Sequence, residues 1–199
     1  MKLVHIYLFR LVAGITLFLM FVGCTHTIKS ADISTLQTGS PLKGVGSKTF
    51  SFKDFKDIRG TDAFLITAIG SHKYTLDQPV ATVVAMSIRK ELERNGHKYI
   101  AYSTQSNPDF IIEGTVYKYS LTMQSGLVSN TIIGNAAVKL TISRASADRE
   151  VLAKSYQGEY RKDTFGGPHG VLKAVSNQAL LEMVKEMSTD PELIAFLEK

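Results

Sequence analysis

The chain of 199 residues contains one cysteine, Cys24. A disulfide within the chain is therefore impossible, and so is a metal site built from several cysteines. Without disulfides, the chain must hold its fold with its apolar core alone. The four histidines beyond the N-terminal region, His26, His72, His97 and His169, show neither H-x-x-x-H nor H-E-x-x-H spacing, so no metal site is expected. G-x-S-x-G is absent, and no Ser-His-Asp set stands out among the scattered serines. Gly44-Val45-Gly46-Ser47-Lys48-Thr49 only faintly resembles a phosphate loop, because Ser47 separates the glycine from the lysine and no strand is expected before it. There is no internal repeat. The formal charge of +5 falls to +3 without residues 1–23, which carry Lys2 and Arg10 and no acid; that is too little to argue for nucleic acid. These absences leave no catalytic residues and no cofactor to name.

What the chain does have begins at its N-terminus. Lys2 and Arg10 precede Leu11–Val22, an uncharged and mostly apolar run of 12 residues. That is signal-peptide length, short of the roughly 18 residues that span a bilayer. The run closes in Phe21-Val22-Gly23-Cys24, which resembles the lipobox of bacterial lipoproteins. The resemblance implies cleavage between Gly23 and Cys24 and acylation of Cys24, including a palmitate-type chain on the new amine. Phe21 departs from the usual Leu. Several acyl chains anchor stably where one binds marginally. Thr25, rather than Asp, follows the cysteine, and by the same resemblance this favours the outer membrane, with the domain facing the periplasm.

Three parts follow from this reading: a signal peptide over 1–23, a lipidated flexible tether over 24–48 and one domain over 49–199. The tether is rich in Ser, Thr and Gly and poor in aromatics. Thr49–Phe55 alternates like a half-buried strand, and Phe64–Ile69 is a second, shorter strand candidate. Ser71–Leu76 leads into a helix over Pro79–Asn95. In that helix Val80, Val83, Val84, Ile88 and Leu92 keep helical spacing, Gln78 or Asp77 stands as cap, Pro79 sits in the first turn, and Asn95-Gly96 forms the stop. Strands are expected over Lys98–Ser103, Phe110–Met123, Asn135–Arg144 and Val151–Lys162, the last three as an antiparallel meander. A helix over Val171–Ser188 and a short one behind Thr189 or Asp190 complete the chain. The fold class is α+β: a mainly antiparallel sheet with two main helices packed on one face, plus a short C-terminal helix.

Several parts of the sequence resemble the YajG-type family of bacterial lipoproteins. They are the lipobox, the helix end Glu91-Leu92-Glu93-Arg94-Asn95-Gly96-His97, the strand from Phe110, and the C-terminal run from Ala174 through Phe196. The resemblance implies location and fold and carries no catalytic residues. Four features remain as contact candidates. Tyr99, Tyr102, Tyr117 and Tyr119 either pack within strands or form a partner face. Leu127 and Val128 either cover the sheet end or lie exposed. Lys48, Lys53, Lys56 and Arg59 either line a solvated strand edge or face lipid phosphates. Gly166–Gly170 is either a hinge or a helix N-terminus open to an anion. Among these, Tyr117, Tyr119, Leu127 and Val128 are the expected partner contacts. The function expected is that of a lipid-anchored, non-enzymatic binding or structural component of the cell envelope, held to the membrane through Cys24 and contacting envelope proteins. The rivals are an accessory of lipid or lipopolysaccharide transport, which needs an apolar groove, and an envelope hydrolase, which needs convergent polar groups.

Overall fold

The computed structural model describes residues 24–28, 42, 45–60, 65–66, 72–103, 105–126, 128–145, 150–165 and 170–199. The signal-peptide reading of 1–23 lies outside these residues, as do Leu127 and residues 166–169 of the glycine-rich stretch 166–170. In chain order the elements are β1 (Cys24–Ile28), β2 (Thr49–Asp57), β3 (Leu65–Ile66), β4 (His72–Leu76), α1 (Val80–Arg94), β5 (Lys98–Tyr99), β6 (Phe110–Ser125), β7 (Asn130–Arg144), β8 (Val151–Thr164), α2 (Leu172–Ser188) and α3 (Pro191–Glu198). They form a small sheet, β1-β4-β3, and a five-stranded sheet, β5-β2-β6-β7-β8.

The α+β class holds, but the main sheet is mixed. The meander β6-β7-β8 is antiparallel as expected, whereas β2 runs parallel to both neighbours, β5 and β6. The reason is connectivity: α1 lies in the chain between β2 and these partners, and a helical crossover returns the chain in the same direction. Within the stretch read as a tether, Cys24–Ile28 form a strand, and Leu42 and Val45 are buried in the core.

The core follows from period-two and period-3.6 patterns meeting. In β7, Ile132, Ala136, Val138, Leu140 and Ile142 are buried on one face. They share one apolar cluster with Val83, Val84, Ile88 and Leu92 of α1 and with Val175, Ala179, Leu180 and Met183 of α2. Gly158 lets α2 come down onto β8: a Cβ there would collide with the Ala179 carbonyl oxygen and the Met183 amide.

The helix ends are made locally. Pro79 is the N-cap of α1 rather than a first-turn residue, and no side chain caps it. At the other end Gly96, at φ 93°, turns the chain; its N–H bonds to Glu93 and the His97 N–H reaches back to the Leu92 carbonyl, the two bonds of a Schellman stop. Asp190 caps α3 by accepting the Glu192 N–H at 3.0 Å. At the far end of α3, Arg144 donates to the Phe196 carbonyl at 2.6 Å and lies 5.3 Å from the Phe110 and Phe196 rings, a cation placed where the helix dipole favours one.

Candidate functional site

Two bulges decide what faces solvent. In β6 the register slips between Val116 and Lys118, so that Tyr117 is an extra residue against β7. A one-residue slip exchanges the faces of everything beyond it. Tyr117 is left 41 % exposed, and Tyr119 turns into the core at 1 %. Tyr119 is thus not a surface contact, contrary to the alternation read from the sequence. Its hydroxyl lies 3.2 Å from the Ser176 hydroxyl, and burial, only partly offset by that bond, pushes its pKa up to about 12. Val128 is 82 % exposed.

In β2 the slip falls between Phe52 and Phe55, with Asp54 in the left-handed region at φ 50°. A non-glycine residue held there carries strain that surrounding contacts must fix. The extra residue restores Phe55 to the face of Phe50 and Phe52. The Phe52 and Phe55 rings meet edge-on at 5.0 Å, and Tyr99 of β5 stands 6.1 Å from Phe52. Across from them, α1 presents Ala81, Ala85 and Met86, whose small or flexible side chains leave a groove of about 280 Å³. Arg89 closes one end: its guanidinium lies 3.8 Å from the Tyr99 ring centroid and pairs with Glu93 at 2.9 Å. Half-exposed aromatics and a 40 % exposed methionine beside an arginine have the composition of interface anchors. Of this groove the sequence reading picked out Tyr99 alone. The missed signal was the spacing of Phe50, Phe52 and Phe55, which departs from strict alternation where a bulge must lie.

Two members of the basic segment are paired. Lys53 bridges to Glu113 at 3.2 Å. Arg59, its side chain 7 % exposed, grips both oxygens of Asp57 and donates to the Tyr119 carbonyl at 2.8 Å; the bonds from Arg59 hold the Asp57 carboxyl below its ordinary range. These pairs tie β2 to β6. A second, larger groove of about 600 Å³ runs beside β8 and α2, lined by Lys118, Lys185, Glu159, Glu182, Glu186 and Gln157. Its charges are of both signs, and Glu186 is already engaged by the Gln157 N–H.

Among the described residues, the His26 and His97 side chains serve separate contacts. His26 stacks on Tyr74 at 5.1 Å. His97 is 4 % exposed, accepts the Lys48 N–H through Nδ1 at 3.3 Å, and leaves Nε2 without a hydrogen-bond partner. Burial, reinforced by nearby Lys48, lowers its pKa. His169 and the His72 side chain lie outside the described residues. Among the described residues, no three His, Cys, Asp or Glu side chains assemble as metal ligands, and no helix is long and apolar enough to cross a membrane. Beside the groove residues, the small void lined by Phe50, Ile88, His97 and Met187 measures about 20 Å³, room for a single water.

Among solved structures, the chain is similar to protein XCC0632 of Xanthomonas campestris, with a TM-score of 0.54 and 12 % identity over 83 % of this chain and 93 % of that one. It is also similar to a minor lipoprotein of Acinetobacter baumannii, at TM-score 0.43 and 10 % identity over 75 % and 94 % of the two chains. Rare lipoprotein B of Shewanella oneidensis stands at TM-score 0.38 and 11 % identity over 70 % and 92 %. Identity this low shows shared fold alone, carried by the first of the three. No curated protein sequence matches the chain. The sequence profile of the family described as "Uncharacterized lipoprotein", Lipoprotein_16, matches residues 55–198. The chain therefore belongs to this lipoprotein family, whose membership implies a membrane-anchored protein of the envelope.

Proposed function

We propose that this protein is a non-enzymatic binding module of the bacterial cell envelope. It is of the YajG type, acylated on Cys24 after cleavage behind Gly23, held on the periplasmic side of the outer membrane, and engages an envelope protein through the groove between β2 and α1. The observation that carries the reading is the aromatic wall Phe52–Phe55–Tyr99 facing Met86. A bulge and a strained Asp54 set the Phe55 ring beside Phe52, and all three rings are only partly buried against the core, where burial by a partner contributes most. Transfer of an aromatic side chain from partial exposure to full burial is worth about 1–2 kcal/mol.

The lipid-transport alternative needs room for an acyl chain. The void within the core near His97 holds about 20 Å³, too little for an acyl chain, so a lipid would have to take the same open groove of about 280 Å³ between β2 and α1, whose aromatic and arginine lining favours a protein contact. The hydrolase alternative needs acid–base groups in a cleft. Of its candidates His72, His97 and His169, the His97 side chain alone is among the described residues, and it is buried.

A photo-crosslinking residue at Met86, in the full-length protein in intact cells, tests the reading. A discrete protein adduct is expected at Met86, absent when the crosslinker replaces Val151, an exposed apolar residue of β8, and lost on adding Tyr99→Ala. Adducts with phospholipid or lipopolysaccharide in place of protein would overturn it in favour of lipid handling.

A further inference from the structure

Cys24 does not stand at the far end of a flexible linker. It is the first residue of β1, which pairs in parallel with β4 along its whole length, Cys24 opposite His72 and Ile28 opposite Leu76. That ribbon is fastened to the domain. Tyr74, opposite His26, is 2 % exposed within the core cluster, and Ile28 and Leu76 pack against the cluster. The His26 ring stacks on Tyr74, and the Ile28 carbonyl accepts the Asp77 N–H at 3.1 Å, just before α1 begins.

The consequence concerns the lipid surface. A flexible tether of 25 residues would leave the domain ranging over about 25–30 Å from its anchor. A strand that starts at the anchor leaves one residue, or about 3.3 Å. We infer that the acylated Cys24 enters the fold directly, and that the domain is seated on the bilayer by the Cys24–His72 end of the β1–β4 ribbon. The occupant of that end is the headgroup layer of the membrane in which the acyl chains sit. Because β1 and β4 are parallel, their first residues meet this surface together. Antiparallel β3 brings Ile66 opposite Lys73 near the same end. The other end of β1, with Asp77 and the start of α1, stands roughly 13 Å away along the strand. The inference rests on the reading of Cys24 as the acylated residue; the strand register and the lipoprotein character of the family are independent observations behind it.

The test uses full-length protein made in cells. Thr27→Cys with Thr75→Cys places two thiols on Cα partners at a separation a disulfide bridges. In the palmitate-labelled, processed protein the two thiols should be joined, protected from alkylation until reduced. In vesicles of phosphatidylethanolamine and phosphatidylglycerol carrying a headgroup-nitroxide lipid, a fluorophore on a lone Thr75→Cys thiol should be strongly quenched. Fifteen Gly and Ser residues inserted after Cys24 should cut that quenching at least twofold. Labelled protein with both thiols free, or quenching that the insertion leaves unchanged, would overturn direct seating. Absence of palmitate from the protein would instead overturn the acylation reading beneath it.

Discussion

The Phe55 ring occupies the space that a side chain at Gly114 would need. A Cβ at Gly114 would stand 2.6 Å from Cδ1 and Cζ of Phe55, and the two residues are paired across β2 and β6 immediately after the β2 bulge. The glycine is thus part of the groove: it gives Phe55 a floor to lie on.

Gly114→Ala is expected to push the Phe55 ring outward rather than to disrupt the sheet, because the ring is half-exposed and can move. The cost should be about 1 kcal/mol, the low end of what overpacking brings, read as a small drop in the urea midpoint. The Met86 crosslink should weaken by much more than stability does. A loss of stability with the crosslink intact would show that Phe55 is core and not groove.

Gly158→Ala makes the opposite case. Here the obstacle is the backbone of α2 at Ala179 and Met183, which cannot swing aside. The expected cost is about 2–3 kcal/mol, measured by urea unfolding, with α2 lifted from β8 and faster amide exchange along both. A neutral outcome would contradict the close helix–sheet contact.

Much of this fold was legible because its patterns are local. The apolar spacing from Val80 to Leu92 and the Asn95-Gly96 stop place α1 within a residue or so of where it lies, and long alternation announces β6, β7 and β8. Parallel pairing of β2 was not legible, because alternation in Phe50 and Phe52 says which face is buried and nothing about which neighbour is chosen. β1 and β4 are short and polar, anchored by Tyr74, Ile28 and Leu76, too few for a periodic signal. Bulges hide in the same way. Tyr117 and Tyr119 have the spacing of residues on one face, and only the inserted residue separates them.

Asp190 joins three partners at once. It caps α3, accepts Lys154 Nζ at 2.8 Å and accepts the hydroxyl of buried Tyr156 at 2.8 Å. Burial pushes the Tyr156 hydroxyl far above its ordinary range, and the bond to Asp190 adds to this. Burial alone would raise the Asp190 carboxyl, but the bonds from Lys154, Tyr156 and the Glu192 N–H outweigh it and hold it below 3.8. Asp190→Ala should cost about 2–4 kcal/mol, from a lost cap and an orphaned buried hydroxyl. The pH dependence follows from linkage. The unfolded chain takes up the proton first, so this stabilisation is present at neutral pH and declines as pH falls through 3.8 toward the lower folded value. Urea midpoints at pH 7 and pH 3 should differ less for Asp190→Asn than for the unsubstituted protein; equal differences would contradict the network.

His97 supplies a second, milder pH response. Its folded pKa lies below the ordinary 6.5 because of burial and Lys48. The unfolded chain is therefore protonated first, and stability falls as pH drops below 6.5, levelling once the folded value is passed. His97→Gln offers the Lys48 N–H a neutral acceptor and should flatten the stability profile between pH 7 and pH 5. A slope equal to that of the unsubstituted protein would assign the response to another group.

The claim on which location and function both depend is the acylation of Cys24, and one measurement meets it directly: palmitate labelling of cells making the full-length protein or its Cys24→Ser variant. The unsubstituted chain should incorporate label and appear as the processed form. The variant should remain an unlabelled, uncleaved precursor. Normal palmitate incorporation into Cys24→Ser would contradict the assignment.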